Sequence, residues 1–167
     1  MQLFNAPPEP ATEPAPPRTP VSLAVLLAPH RTLNLRSKAV DTSYPEAKLR
    51  NLLADMVATV LDYEALGLAA PQVGFSCRVI VVRASVTDVP RVLVNPRISR
   101  SSGSSRGVEG CLSLPTKSLV IRRSAIVQVG ALEDGKAVSF SCEGMLGRVI
   151  QHEIDHLDGI LMTSRRS

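Results

Sequence analysis

Apolar residues recur at three- and four-residue spacing at Leu49, Leu52, Leu53, Met56, Val57, Val60 and Leu61, which marks a helix burying one face. The pattern predicts an N-terminal amphipathic helix over residues 45–61, with Ser43 and Pro45 at its start. The period then shortens. Residues 77–82 and 91–94 are short, β-branched runs and are predicted as strands, the second closed by Asn95 and Pro96. Residues 101–107, built from Ser, Gly and one Arg, read as a mobile loop. Alternation over 125–129 and 138–142, with Asp134 and Gly135 between, predicts an antiparallel hairpin. A last helix is predicted over residues 143–158, with Gly159 as its left-handed cap. Strands and helices do not alternate regularly, so the predicted class is α+β with antiparallel sheets.

Composition divides the 167 residues into two parts. Seven of the 13 prolines fall in the first 20 residues, where no apolar period runs, so residues 1–20 are expected to form a disordered or polyproline-like arm. Residues 21–167 suffice for one catalytic domain with a core of its own. The arm lacks the basic start and continuous apolar stretch of a signal peptide, and residues 21–28 are too few to span a bilayer. The three cysteines, Cys77, Cys111 and Cys142, have no framework spacing, which predicts a reducing compartment and a cytoplasmic location. The net charge of +4 is scattered as short pairs, and with 3% aromatic residues and no Trp there is no stacking platform for single strands. Specific nucleic-acid binding and membrane insertion are therefore excluded as expectations.

The chemistry concentrates in Gln151, His152, Glu153, Ile154, Asp155 and His156. Two imidazoles four residues apart with a carboxylate beside the first form an HExxH run, the pattern that holds and uses a catalytic metal. At about 100° per residue, His156 lies roughly 40° and Glu153 roughly 100° round the helix from His152. They share the inward face with Leu146, Val149, Ile150 and Leu157, while Arg148, Gln151, Asp155 and Asp158 fall on the opposite side. Such a site needs three protein ligands and an open position. No His, Glu or Cys follows His156, so the third ligand is sought upstream, among His30, the cysteines and several carboxylates. Cys111 stands out because Gly107 and Gly110 precede it and permit close backbone approach. Cys77 and Cys142 read as small buried apolar groups at strand ends.

Three segments, in order, resemble the motifs of the peptide deformylase family: Gly67-Leu68-Ala69-Ala70-Pro71-Gln72-Val73-Gly74, Glu109-Gly110-Cys111-Leu112-Ser113, and the run from Gln151 to Gly159. The resemblance implies a metal held by Cys111, His152 and His156 on a central helix with the sheets packed around it. It implies one divalent ion, Fe2+ in vivo, with Zn2+, Ni2+ and Co2+ compatible with the same donors. Glu153 is implied as general base, Gln72 and the Leu112 N–H as oxyanion donors, and Leu66, Gly67 and Gly110 as contacts to the substrate backbone. The implied reaction removes the N-formyl group from the initiator methionine of newly made polypeptides and releases formate. Glu109 and Arg123 are implied to pair behind the Cys111 segment.

The chain departs from the family pattern at Ala65, where Gly is usual, and at Ser118, where a basic residue is usual. It also ends without the C-terminal helix that longer members use for ribosome docking, which leaves ribosome proximity an open expectation. Two other readings fit the residues: a zinc-dependent peptidase that cuts internal bonds, and a noncatalytic protein that binds peptides or the ribosome.

Overall fold

The computed structural model describes residues 18–165. Its main elements are α1 (Glu46–Asp62), β1 (Gly67–Ala69), β2 (Val79–Val82), β3 (Arg91–Ser102), β4 (Ser105–Gly110), β5 (Ser118–Arg123), β6 (Ile126–Glu133), β7 (Lys136–Glu143) and α2 (Gly144–Leu157). Five strands pair antiparallel in the order β1-β2-β3-β6-β7, and β4 and β5 form a separate two-stranded sheet. The class is α+β.

Alternation along β2 explains how the larger sheet joins both helices. Successive side chains of a strand point to opposite faces. Val79 and Val81 pack with Leu68 and with Leu52, Met56 and Val60 of α1. Ile80 and Val82 pack on the other face with Leu93, Val127, Val129 and with Val149, Ile150, Ile154 and Leu157 of α2. All four β2 side chains are buried, each contributing about 1.5–3 kcal/mol by removal from water. The segment that carries the histidines is thereby fixed to the centre of the molecule.

Several sequence expectations change. Asn95 and Pro96 do not close a strand: β3 continues through them to Ser102, with a register shift between Val94 and Arg97. Asn95 has φ +52, and its side chain exchanges two hydrogen bonds with the Val40 backbone, at 2.8 and 2.7 Å. A bulge accommodates the proline, which has no N–H to give to a ladder. The loop expected over 101–107 is a tight connection at Gly103 and Ser104 that links β3 of one sheet to β4 of the other. Residues 77 and 78 lie before β2, where Cys77 bridges to Lys38. The sequence pattern did not identify β1, β4 or β5 as strands.

Other boundaries agree within a residue or two, except that β6 runs on to Glu133 where the expected strand ended at Val129. The β6–β7 turn has Asp134 at φ +49 and Gly135 at φ +73, the conformations a two-residue hairpin turn requires, and Gly159 has φ +73 just beyond α2. Residues 1–17 of the expected arm lie outside the described residues. The arm's last three residues run along α1, where the Arg18 guanidinium engages both Asp55 carboxylate oxygens and the Val21 N–H donates to Asp55 Oδ1 at 2.9 Å. Among the described residues no helix is long and apolar enough to cross a membrane.

Candidate active site

From Gly147 to Leu157 the helix α2 is buried on every side. The wheel placed Arg148, Gln151 and Asp155 away from the core, yet all three are buried. The correction has a physical cause: the β4–β5 sheet covers the side of α2 that the larger sheet leaves open. Glu109 on β4 accepts from Arg123 Nε and Nη2 at 2.9 and 2.8 Å and from Arg148 Nη1 at 2.8 Å. Arg123 on β5 also donates to Asp155 Oδ2 at 2.5 Å, and Arg165 engages the same carboxylate. Gln151 exchanges hydrogen bonds with the Ser124 backbone, both at 3.0 Å. Buried charges persist when paired and hydrogen-bonded, as these are.

Within that frame Cys111, His152 and His156 converge. Their ligand atoms all lie within 4.8 Å of one another. The two imidazoles meet edge to face with centroids 4.9 Å apart. His152 Nδ1 is 2.9 Å from Glu109 Oε2, which fixes the ring and leaves Nε2 for another partner. His156 Nε2 is 3.2 Å from Cys111 Sγ. Cys111 follows β4 directly and sits in a turn closed by the Leu114 N–H on Cys111 O at 2.9 Å. A divalent cation fits this group: one sulfur and two imidazole nitrogens face one another, and a carboxylate behind His152 orients its ring. Of the other upstream candidates, His30 is exposed, Cys77 is buried near Lys38 and Cys142 lies on β7; none joins the group.

Gln72 and Glu153 flank the donors. Gln72 lies in the 3-10 helix Ala70–Val73, which Gly74 ends at φ +88. Its Oε1 accepts from the Ala69 N–H at 2.8 Å, so its amide nitrogen is turned toward Ser113 Oγ at 3.2 Å and Cys111 Sγ at 3.7 Å. Glu153 is buried and its Oε2 has no hydrogen-bond partner among the described residues. A Cβ at Gly67 would lie 2.3 Å from Glu153 Oε1 and 2.8 Å from Val149 Cγ1, so only glycine lets β1 approach this carboxylate.

The electrostatics separate the two histidines. Burial opposes charge on His152, but contacts with Cys111 and Glu109 and the field of Glu153 outweigh it and raise its pKa to about 10. Burial lowers His156 to about 3, and the charges of His152 and Arg123 act in the same direction. Burial pushes Glu153 up to about 7; Glu109 and Asp155 add to the rise while His152 and Arg123 oppose it. Burial also resists ionisation of Glu109, yet its bonds from Arg123 and His152 hold it well below the usual carboxylate range. A metal would bind both imidazoles in their neutral form, releasing any proton held by His152.

A cavity of about 480 Å³ opens onto His152, Glu153 and Cys111. Leu66, Gly67, Gln72, Gly110 and Leu112 all line it. So do Tyr63, Val108 and Met145, which no sequence signal singled out because each reads as an ordinary exposed apolar residue. Ser118, by contrast, is the exposed first residue of β5, paired in register with Gly110.

A family model described as polypeptide deformylase matches residues 22–167. The chain belongs to the polypeptide deformylase family. It is an enzyme of that family, and peptide deformylases are metalloenzymes. Peptide deformylase of Dictyoglomus thermophilum is 41% identical over 132 residues, covering 78% of this chain and 85% of that one. Peptide deformylase 1 of Bacillus subtilis is 42% identical over 135 residues, covering 80% and 84%. Among solved structures, the actinonin-bound class I type b peptide deformylase of Acinetobacter baumannii superposes with a TM-score of 0.81 at 36% identity, covering 88% of this chain and 99% of that one. The peptide deformylase of Thermotoga maritima gives a TM-score of 0.81 at 34% identity, covering 87% and 98%.

Proposed function

We propose that this deformylase removes the N-formyl group from the initiator methionine of newly synthesised polypeptides in the cytoplasm, with residues 21–167 as its catalytic domain. The reading is supported above all by one arrangement: one sulfur and two imidazole donors converge, and the buried Glu153, one oxygen of which has no hydrogen-bond partner among the described residues, lines the same apolar cavity as Cys111 and His152.

Cys111, His152 and His156 hold one divalent ion, Fe2+ in vivo, with Zn2+, Ni2+ or Co2+ as possible substitutes. The HExxH run of α2 is thus the metal-binding element, and the amphipathic α1 supports the sheet from the other face. When bound, the ion supplies Lewis acidity, activating water near neutral pH and polarising a carbonyl oxygen.

The side chains supply the rest. Glu153 takes the proton of the attacking water on its free oxygen and returns it to the leaving amine. Burial raises its pKa above the ordinary carboxylate value, the direction suited to a group that takes up a proton and returns it. Gln72 Nε2, held in place by the Ala69 N–H on its Oε1, and the Leu112 N–H donate to the oxyanion that develops on the formyl oxygen. Leu66, Gly67 and Gly110 run along the substrate backbone, and the methionine side chain enters the apolar part of the cavity beside Met145 and Val149.

The direct test is formate release from formyl-Met-Ala-Ser by iron-loaded protein under anaerobic conditions. Glu153→Ala, with its iron content verified, should turn over about 10³-fold more slowly, within the usual range for loss of a general acid–base group. Wild-type protein no faster than this variant would overturn the proposal.

A further inference from the structure

We propose that Arg83, which has no part in the donor group, is a positioning residue: it holds the cavity wall formed by Ala65, Leu66 and Gly67. Arg83 directly follows β2 and is 4% exposed. Its backbone N–H donates to Leu66 O at 2.8 Å, extending by one residue the ladder in which Gly67 faces Val82. Its side chain grips the neighbouring carbonyl: Nε donates to Ala65 O at 2.7 Å. Nη1 donates to Val86 O, and Nη2 to Val60 O at 3.3 Å in the last turn of α1.

No carboxylate pairs with this guanidinium among the described residues, unlike those of Arg123 and Arg148. A buried cation without a counter-ion is unfavourable unless fixed dipoles replace its water. Here three carbonyls do so, one of them at a helix C-terminus, where positive charge is stabilised. A flexible apolar side chain could occupy similar space. What the guanidinium adds is rigid, simultaneous N–H directions to three segments.

The gripped segment needs holding. Glu64, just before it, sits at φ +49, an uncommon conformation for a residue with a Cβ. The Ala65 N–H returns to Val60 O at 3.0 Å, so Val60 and Arg83 together hold the N–H and the carbonyl of one residue, Ala65. Beyond it Leu66 lines the cavity, and Gly67 lies against Glu153 with no room to spare. A shift of Ala65 would therefore move the surface a substrate meets while leaving Cys111, after β4, and the two histidines of α2 in place. The kinetic consequence rests on the deformylase reading; the positioning does not.

The test compares Arg83→Met, Arg83→Lys and, as a control on the same sheet, Arg91→Met in the metal-loaded full chain. Arg83→Met should raise KM for formyl-Met-Ala-Ser about tenfold with kcat changed less than about twofold, the pattern of lost binding rather than lost chemistry. Its Ala65 amide should exchange with solvent at least about tenfold faster, while β6 amides keep wild-type protection. Arg83→Lys should show smaller changes in the same direction, and Arg91→Met none. An unchanged KM with an unchanged Ala65 amide, or a loss confined to kcat, would overturn the proposal. Should Arg83→Met not fold, Arg83→Lys decides by the same two readouts. Should the wild type release no formate, the deformylase reading fails and Ala65 exchange alone decides the role of Arg83.

Discussion

The two sheets bury the same helix by opposite chemistry. The larger sheet meets α2 through Val149, Ile150, Ile154 and Leu157, an apolar contact without direction. The β4–β5 sheet meets it through Glu109, Arg123 and the polar residues Arg148, His152 and Asp155, joined by directional, charge-assisted bonds. Dispersion and the hydrophobic effect tolerate small displacements, whereas a carboxylate that accepts from two guanidinium groups and an imidazole has one geometry. The ring orientation of His152 is thus set from the polar side, and the depth of α2 from the apolar side. The division suits a site in which three donors must meet at a point while the helix carrying two of them remains bonded to the core.

Substitutions on the two sides should separate these roles. Glu109→Ala strands Arg123 and Arg148 as buried cations and removes the acceptor from His152 Nδ1. It should destabilise the protein by about 3–5 kcal/mol, the usual result of removing one partner from a buried charged network. Metal affinity, read by chelator competition, should also fall about 10–100-fold as the orienting group behind a ligand is lost. Ile150→Ala, at a fully buried position on the other side, should cost about 3 kcal/mol in urea denaturation through the cavity it leaves. Its metal affinity should stay within about twofold of wild type, since no ligand loses a hydrogen bond. Equal losses of affinity in the two variants would erase the proposed division.

The sequence made the apolar side legible, and of the polar side only the Glu109–Arg123 pair that the family resemblance implied and the structure shows. The period of α1 and the Asp134-Gly135 turn are local signals, and both elements stand within a residue or two of where those signals put them. Cys111, His152 and His156 could be singled out because their residue types are scarce and their neighbours form recognisable motifs. Arg148, Gln151 and Asp155 were assigned outward because a helical wheel treats one face as core. It cannot register a second sheet packing from the far side. The bulge at Asn95 is equally nonlocal, since the partner of its side chain is Val40. Arg83 carried no signal at all: its bonds go to carbonyls, which every residue possesses.

A milder perturbation probes the seam between the sheets. Gln151 bonds both the N–H and the carbonyl of Ser124, the first of the two residues that pass the chain from β5 to β6. Gln151→Ala should lower stability by about 1 kcal/mol, because the half-exposed Ser124 peptide regains water in place of the lost partner. Loss of as much stability as in Glu109→Ala would show that the seam, not the ion network, holds the smaller sheet.

The smallest effect lies on the larger sheet, far from the polar side. Arg91 donates twice to Glu133, at 2.8 Å each, and stacks over Phe140 at 4.1 Å. The Arg91 bonds lower the Glu133 pKa below its ordinary value of 4.5, with burial opposing. A depressed carboxylate pKa gives a contribution that is complete above the unfolded value and is lost as pH falls through the folded one. Wild type should therefore exceed Glu133→Gln by about 0.2–1 kcal/mol near pH 7, the range for partly exposed pairs. The gap should begin to close below pH 4.5 and shrink with added salt. If it instead persisted unchanged to acid pH and high salt, the larger sheet would owe its strength here to the Phe140 stacking and packing rather than to charge. The contrast between an apolar sheet and an ionic one would then extend to its periphery.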